Sequence, residues 1–148
     1  MKTLTPLFGL LLTFLFFLFS CETEEPSALI PDLSDCHAKK NWKSDEIEDA
    51  LIGEWNWEDS YCYSNPEGED DAGLRIRFNS DNSLDLFENG QLTQSLSWQV
   101  LDEGNETFRL NVSPSIFQLE GYIFLCDDQV SFNSSFIDLC DTYYRRNN

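Results

Sequence analysis

Residues 84–100, LDLFENGQLTQSLSWQV, decide the fold. Leu84 and Leu86 alternate with polar neighbours, and Leu92, Leu96, Trp98 and Val100 do the same beyond the pair Asn89-Gly90. A period of two sends successive side chains to opposite faces of a strand, so each arm reads as a strand with one buried face. Asn89-Gly90 tolerates the positive φ that a two-residue type I′ turn requires at both positions, which makes the stretch a β-hairpin. Working outward, the alternation returns in Trp55, Trp57, Tyr61 and Tyr63, in Leu74, Ile76 and Phe78, and in Phe108, Leu110 and Val112. Later runs, Phe117 to Leu119, Tyr122 to Leu125, Val130 to Phe132 and Phe136 to Tyr144, are more apolar and less regular. Turn residues stand between them: Asn79 to Asn82, Glu103-Gly104-Asn105, Pro114, Asp127-Asp128 and Asn133-Ser134. About eight short strands in roughly a hundred residues predict an all-β antiparallel meander that curls into a barrel or a sandwich.

Ahead of the first strand, Ser44 to Ile52 offers capping residues, early acids and apolar positions at Ile47, Ala50 and Leu51. That pattern predicts one or two helical turns running into Gly53-Glu54-Trp55. Residues 22–43 carry Pro26, Ser27, Pro31, Ser34 and mixed charges, the composition of an extended tether. Cys36 within it is expected to pin the distal half to the domain.

The chain of 148 residues has 9 Lys+Arg against 27 Asp+Glu. All but one of the cations and every acid lie beyond residue 20, so residues 21–148 carry a formal charge of −19. Affinity for phosphate backbones comes from clustered Lys and Arg, so this balance excludes a nucleic-acid binder and disfavours adhesion to anionic membrane surfaces. The first segment explains where such a chain goes. Residues 3–20, TLTPLFGLLLTFLFFLFS, are almost wholly apolar and follow the single cation Lys2. The apolar stretch from Leu4 to Phe19 is shorter than the roughly twenty residues of a membrane-crossing helix and reads as a secretion signal. In an exported chain, cysteines meet oxidising conditions. Without Cys21, the even set Cys36, Cys62, Cys126 and Cys140 remains, open to three pairings.

Two resemblances refine this reading. Leu18-Phe19-Ser20-Cys21 resembles the lipobox of bacterial lipoproteins, in which the signal is cut before the cysteine and its sulfur receives a diacylglyceryl group. Residues 1–20 are then a lipoprotein signal peptide, residues 21–43 a lipidated acidic tether and residues 44–148 the folded domain. The alternative is an ordinary signal peptide cleaved near Ser20. Two or three acyl chains, at about 0.8 kcal/mol per buried CH₂, anchor a protein stably. Glu22, Glu24 and Glu25 resemble the acidic export signal of surface lipoproteins of Bacteroidetes, which implies attachment at the outer membrane, on its exposed or periplasmic face.

The second resemblance covers the span from Leu51 to Arg146. Gly53-Glu54-Trp55, entered from a short helix, resembles the G-x-W motif of lipocalins and the wider calycin group, and Arg145 or Arg146 resembles the arginine that packs over that tryptophan. The order of Trp55-x-Trp57, Phe78, Asn89-Gly90, and a cysteine followed by Asp141 and a Tyr-Arg ending is similar to lipocalin-like domains of Bacteroidetes lipoproteins. The resemblance implies an eight-stranded up-and-down barrel whose first and last strands pair antiparallel. Residue numbers across such a pair add to a constant, and Trp55 with Arg145 or Arg146 and Cys62 with Cys140 agree on it within two. The implied disulfides are Cys62–Cys140 across the closure and, with it, Cys36–Cys126. In such a barrel Trp57, Phe78, Trp98, Phe108 and Tyr122 are expected to point inward, where they either fill the interior or line a cavity for one small hydrophobic ligand. The filled interior is favoured, because the strands are short.

Chemistry is poorly served. His37 is the only histidine, and beside Cys36 on an extended chain it points away from its neighbour, so no nucleophilic pair or Ser-His-Asp arrangement is expected. No cysteine pair has zinc-finger spacing. The acid cluster Glu67, Glu69, Asp70 and Asp71 departs from the EF-hand pattern and reads as a solvated loop. Asn105-Glu106-Thr107, Asn111-Val112-Ser113 and Asn133-Ser134-Ser135 match the N-glycosylation triplet but read as polar strand and turn residues. The sequence thus implies a non-enzymatic envelope lipoprotein without metal or cofactor. Its partner is expected to be a small hydrophobic ligand or, alternatively, an outer-membrane protein complex that it serves as an accessory subunit. Inhibition of another enzyme would rest on fold analogy alone.

Overall fold

A computed structural model describes residues 33–62, 73–134, 137 and 140–147. The signal, Cys21 and the acidic cluster at residues 67–71 lie outside them. Among the described residues no helix is long and apolar enough to cross a membrane.

Eight strands form one closed antiparallel barrel in chain order: β1 (Gly53–Cys62), β2 (Leu74–Phe78), β3 (Ser83–Glu88), β4 (Gln91–Gly104), β5 (Thr107–Ser113), β6 (Gly121–Cys126), β7 (Gln129–Asn133) and β8 (Cys140–Arg146). The quoted hairpin is β3 and β4, joined as expected through Asn89 at φ 51° and Gly90 at φ 80°. β1 closes on β8 with Trp55 opposite Arg146 and Cys62 opposite Cys140, and a bulge between Trp57 and Asp59 supplies the one-residue offset between those two pairs. Two runs differ from expectation. Phe117–Leu119 is a 3₁₀ turn, too short to join the sheet, and β4 continues through Gly104.

Two helices precede the barrel: α1 (Ser34–His37) and α2 (Ser44–Leu51). In α2, the Glu46 carboxylate accepts the Lys43 backbone N–H at 3.2 Å, and Ile47 and Leu51, four apart on one face, are fully buried beside Trp55. Residues 33–43 are not the end of an extended tether. Leu33 and His37 are buried, and α1 lies against β6, so the folded unit starts at least eleven residues before Ser44.

The interior is packed by alternating residues of all eight strands. Trp98 meets Phe78 edge to face at 5.0 Å, Phe78 meets Phe132 at 6.3 Å, and Phe132 meets Tyr144 at 5.7 Å. This chain of rings crosses the core, with all four residues at 4% exposure or less. On the outer face, Arg75 and Arg77 lie over the Phe87 ring and pair with Glu54 and Asp85.

Candidate binding site in the barrel wall

One end of the barrel is closed by backbone carbonyls that need donors. A helix leaves its last carbonyls without intrahelical partners. Here Ala50 and Ile52 accept from Arg146, the Ile52 bond at 3.0 Å, and Leu51 between them accepts from Trp55 Nε1 at 2.7 Å. The Arg146 guanidinium lies 4.3 Å from the centre of the Trp55 ring. Gly53 makes room for it: a Cβ there would stand 2.9 Å from Arg146 Nη1, and its φ of 130° is one that only glycine adopts readily. Of the two candidate arginines, then, Arg146 packs on Trp55. Arg145 faces out and pairs with Glu58 at 2.8 Å and Asp128 at 3.0 Å.

Both disulfides of the expected pairing are present, Cys36–Cys126 and Cys62–Cys140. The first ties α1 to the end of β6, and the second joins directly opposed residues of β1 and β8.

The five aromatic residues expected to point into the barrel divide. Phe78 and Trp98 fill the interior against each other, with Trp98 Nε1 donating to the Ser83 carbonyl at 3.0 Å. Trp57 packs against the core half-buried, and its indole N–H has no hydrogen-bond partner among the described residues. Phe108 is buried on the inner face of β5. Tyr122 lies on the other face of β6 from the buried Gly121, Ile123 and Leu125, so it is on the outside, with Phe124. The pleat explains it, because the strand begins at the buried Gly121, not at Tyr122. Gly121 is buried tightly: a Cβ would clash with the Asn133 carbonyl oxygen.

Phe108 and Tyr122 nevertheless meet at one place. β5 and β6 pair over only two positions, Arg109 with Tyr122 and Leu110 with Gly121, and then part. A cavity of about 350 Å³ occupies the parting, lined by His37, Glu106, Thr107, Phe108, Tyr122, Ile123 and Phe124. The Leu125 backbone N–H, which has no β5 partner, donates instead to His37 Nδ1 at 3.0 Å. The His37 ring sits edge to face on Phe124 at 5.6 Å and stacks on Trp42 at 5.7 Å, while Lys40 Nζ lies over the outer Trp42 ring at 3.4 Å. Burial holds the His37 pKa below its usual 6.5, against an opposing pull from the Glu106 carboxylate. An N–H aimed at Nδ1 also requires that nitrogen to be unprotonated, so the contact belongs to the neutral ring with its proton on Nε2.

Comparison with protein-family models, with curated proteins and with solved structures finds no match. The site is therefore read from its own chemistry. Sequence reasoning placed Phe108 and Tyr122 among candidate ligand contacts but missed His37 and Glu106. The signal for His37 was its spacing of four from Leu33, which puts both on one helical face. Glu106 gave none, because a parting between two strands leaves no mark on side-chain alternation.

Proposed function

We propose that the protein is a non-enzymatic, lipid-anchored envelope lipoprotein, attached to the outer membrane through Cys21, whose lipocalin-like barrel binds a small hydrophobic molecule. The observation that carries this reading is the cavity between β5 and β6: Phe108, Tyr122, Ile123 and Phe124 give it an apolar wall beside the polar His37, Glu106 and Thr107, and its volume of about 350 Å³ suits a small ligand. The lipocalin-like assignment is supported by the way Arg146 covers Trp55 beside Gly53. Lipid attachment is supported by Leu18-Phe19-Ser20-Cys21 behind an apolar leader and by the paired state of the other four cysteines, which leaves Cys21 as the odd one. Native mass spectrometry of the protein extracted from its own cells in a non-ionic detergent tests the reading. Release of a small molecule on collisional activation supports it.

A second reading has its own observation. The Trp98–Phe78–Phe132–Tyr144 chain fills the interior, as an accessory subunit with an inert core would have it. Co-purification with a membrane complex and without a small molecule would favour that role.

A further inference from the structure

The cavity between β5 and β6 carries one formal charge, the carboxylate of Glu106, an exposed turn residue at its mouth. Apart from Glu106, its lining is aromatic, aliphatic or neutral: Phe108, Tyr122, Ile123, Phe124, Thr107 and the His37 ring. Among the described residues no Lys or Arg lines it. Two cations close in sequence to the lining have contacts of their own, Lys40 over the Trp42 ring and Arg109 with Glu103 at 3.0 Å. Glu106 has no ion-pair partner within 4.0 Å among the described residues. A carboxylate left unpaired at the mouth of an aromatic cleft is the arrangement that recognises an organic ammonium, by Coulomb attraction and by the negative faces of the rings. An anion would meet Glu106 and an acidic protein surface.

We propose that this wall cavity binds a small organic cation, a protonated or quaternary amine on an apolar body, with the ammonium at Glu106 and the body against Phe108, Tyr122 and Phe124. The proposal rests on the reading of the barrel as a binding module and gives its ligand a charge. At about 30 Å³ for each water-sized group, the cavity admits a body of roughly ten non-hydrogen atoms.

The test compares three probes of similar size that share a phenyl ring: benzylammonium, benzyl alcohol and benzoate. Each is titrated into the purified full-length protein in a non-ionic detergent at physiological ionic strength, which suppresses attraction to the acidic surface at large. Two-dimensional NMR follows the backbone amides. Benzylammonium is expected to shift Glu106, Thr107, Ile123 and Phe124 and to bind about fivefold or more tighter than benzyl alcohol, with benzoate weakest. Glu106→Gln is expected to bring the ammonium-to-alcohol ratio to about one. Glu106→Gly is expected to do the same in a protein that folds at least as well, because Glu106 sits at φ 61°, which glycine adopts without strain. Equal binding of the alcohol and the ammonium at these residues would overturn the charge selection and leave the cavity a binding site. A preference unchanged in both variants would also overturn it. Binding of none of the probes at these amides would overturn the wall site together with the proposal.

Discussion

Arg146→Met removes the donor that closes the barrel end. The guanidinium holds the Ala50 and Ile52 carbonyls and stacks on Trp55. A hydrogen bond from a charged donor contributes about 1.5 kcal/mol at the low end of its range, and a partly buried cation–π contact about 1 kcal/mol. Methionine keeps the apolar stem and forfeits all three interactions, so the loss is about 3 to 4 kcal/mol. Arg146→Lys keeps the charge but cannot reach both carbonyls from one compact ammonium, and is expected to lose about half as much. Arg145→Met is the control. Its pairs with Glu58 and Asp128 join side chains roughly two-fifths exposed, and such surface pairs contribute no more than about 1 kcal/mol. Urea denaturation followed by tryptophan fluorescence measures all three, with Trp55 reporting on the site itself. A cost below about 1 kcal/mol for Arg146→Met, or an equal cost for Arg145→Met, would refute the assignment of Arg146 as the closing residue.

Three further outcomes follow from the packing. Replacing Cys36 and Cys126 together by alanine opens a link between residues 90 apart in sequence, for which loop-closure entropy predicts a loss of about 4 kcal/mol in non-reducing denaturation. Gly121→Ala drives a methyl into the Asn133 carbonyl at a φ of 127°, and is expected to cost at least about 3 kcal/mol, read as a fall in thermal midpoint. The His37 pKa is lowered in the fold, so below pH 6.5 the unfolded chain takes up a proton that the folded one refuses. That contribution to stability is complete above pH 6.5 and is lost as pH falls from there towards the folded pKa. Thermal midpoints from pH 7.5 to 5 are expected to fall more steeply for wild type than for His37→Gln, which keeps an acceptor for Leu125 but does not titrate. Parallel curves would show that His37 is not the group concerned.

Much of this was legible in the chain. Asn89-Gly90 and the alternating leucines fixed a hairpin because strand pleat and turn sterics are local. The pairing of Cys62 with Cys140 and of Trp55 with an arginine agreed on one register because an antiparallel ladder ties distant residue numbers together. Choosing between Arg145 and Arg146 was harder: the β1 bulge shifts the register by one, and a shift of one exchanges the inner face for the outer. Tyr122 was misplaced by the same one-residue parity: β6 begins at the buried Gly121, so Tyr122 falls on the outer face. α1 was hidden by a run of prolines and charges before it, although a disulfide and a buried histidine need only one helical turn to fasten a segment. The parting of β5 from β6 was not legible at all. It depends on the Leu125 amide finding His37, 88 residues earlier, in place of a strand partner.

The proposed acylated barrel, with a small molecule in its wall, is put to the test by the intact mass of the protein drawn from its own cells. Native spectra are predicted to show a chain beginning at Cys21 with two or three acyl chains, both disulfides formed, and a small molecule that leaves on activation. An unacylated chain that begins elsewhere and holds no small molecule would contradict it.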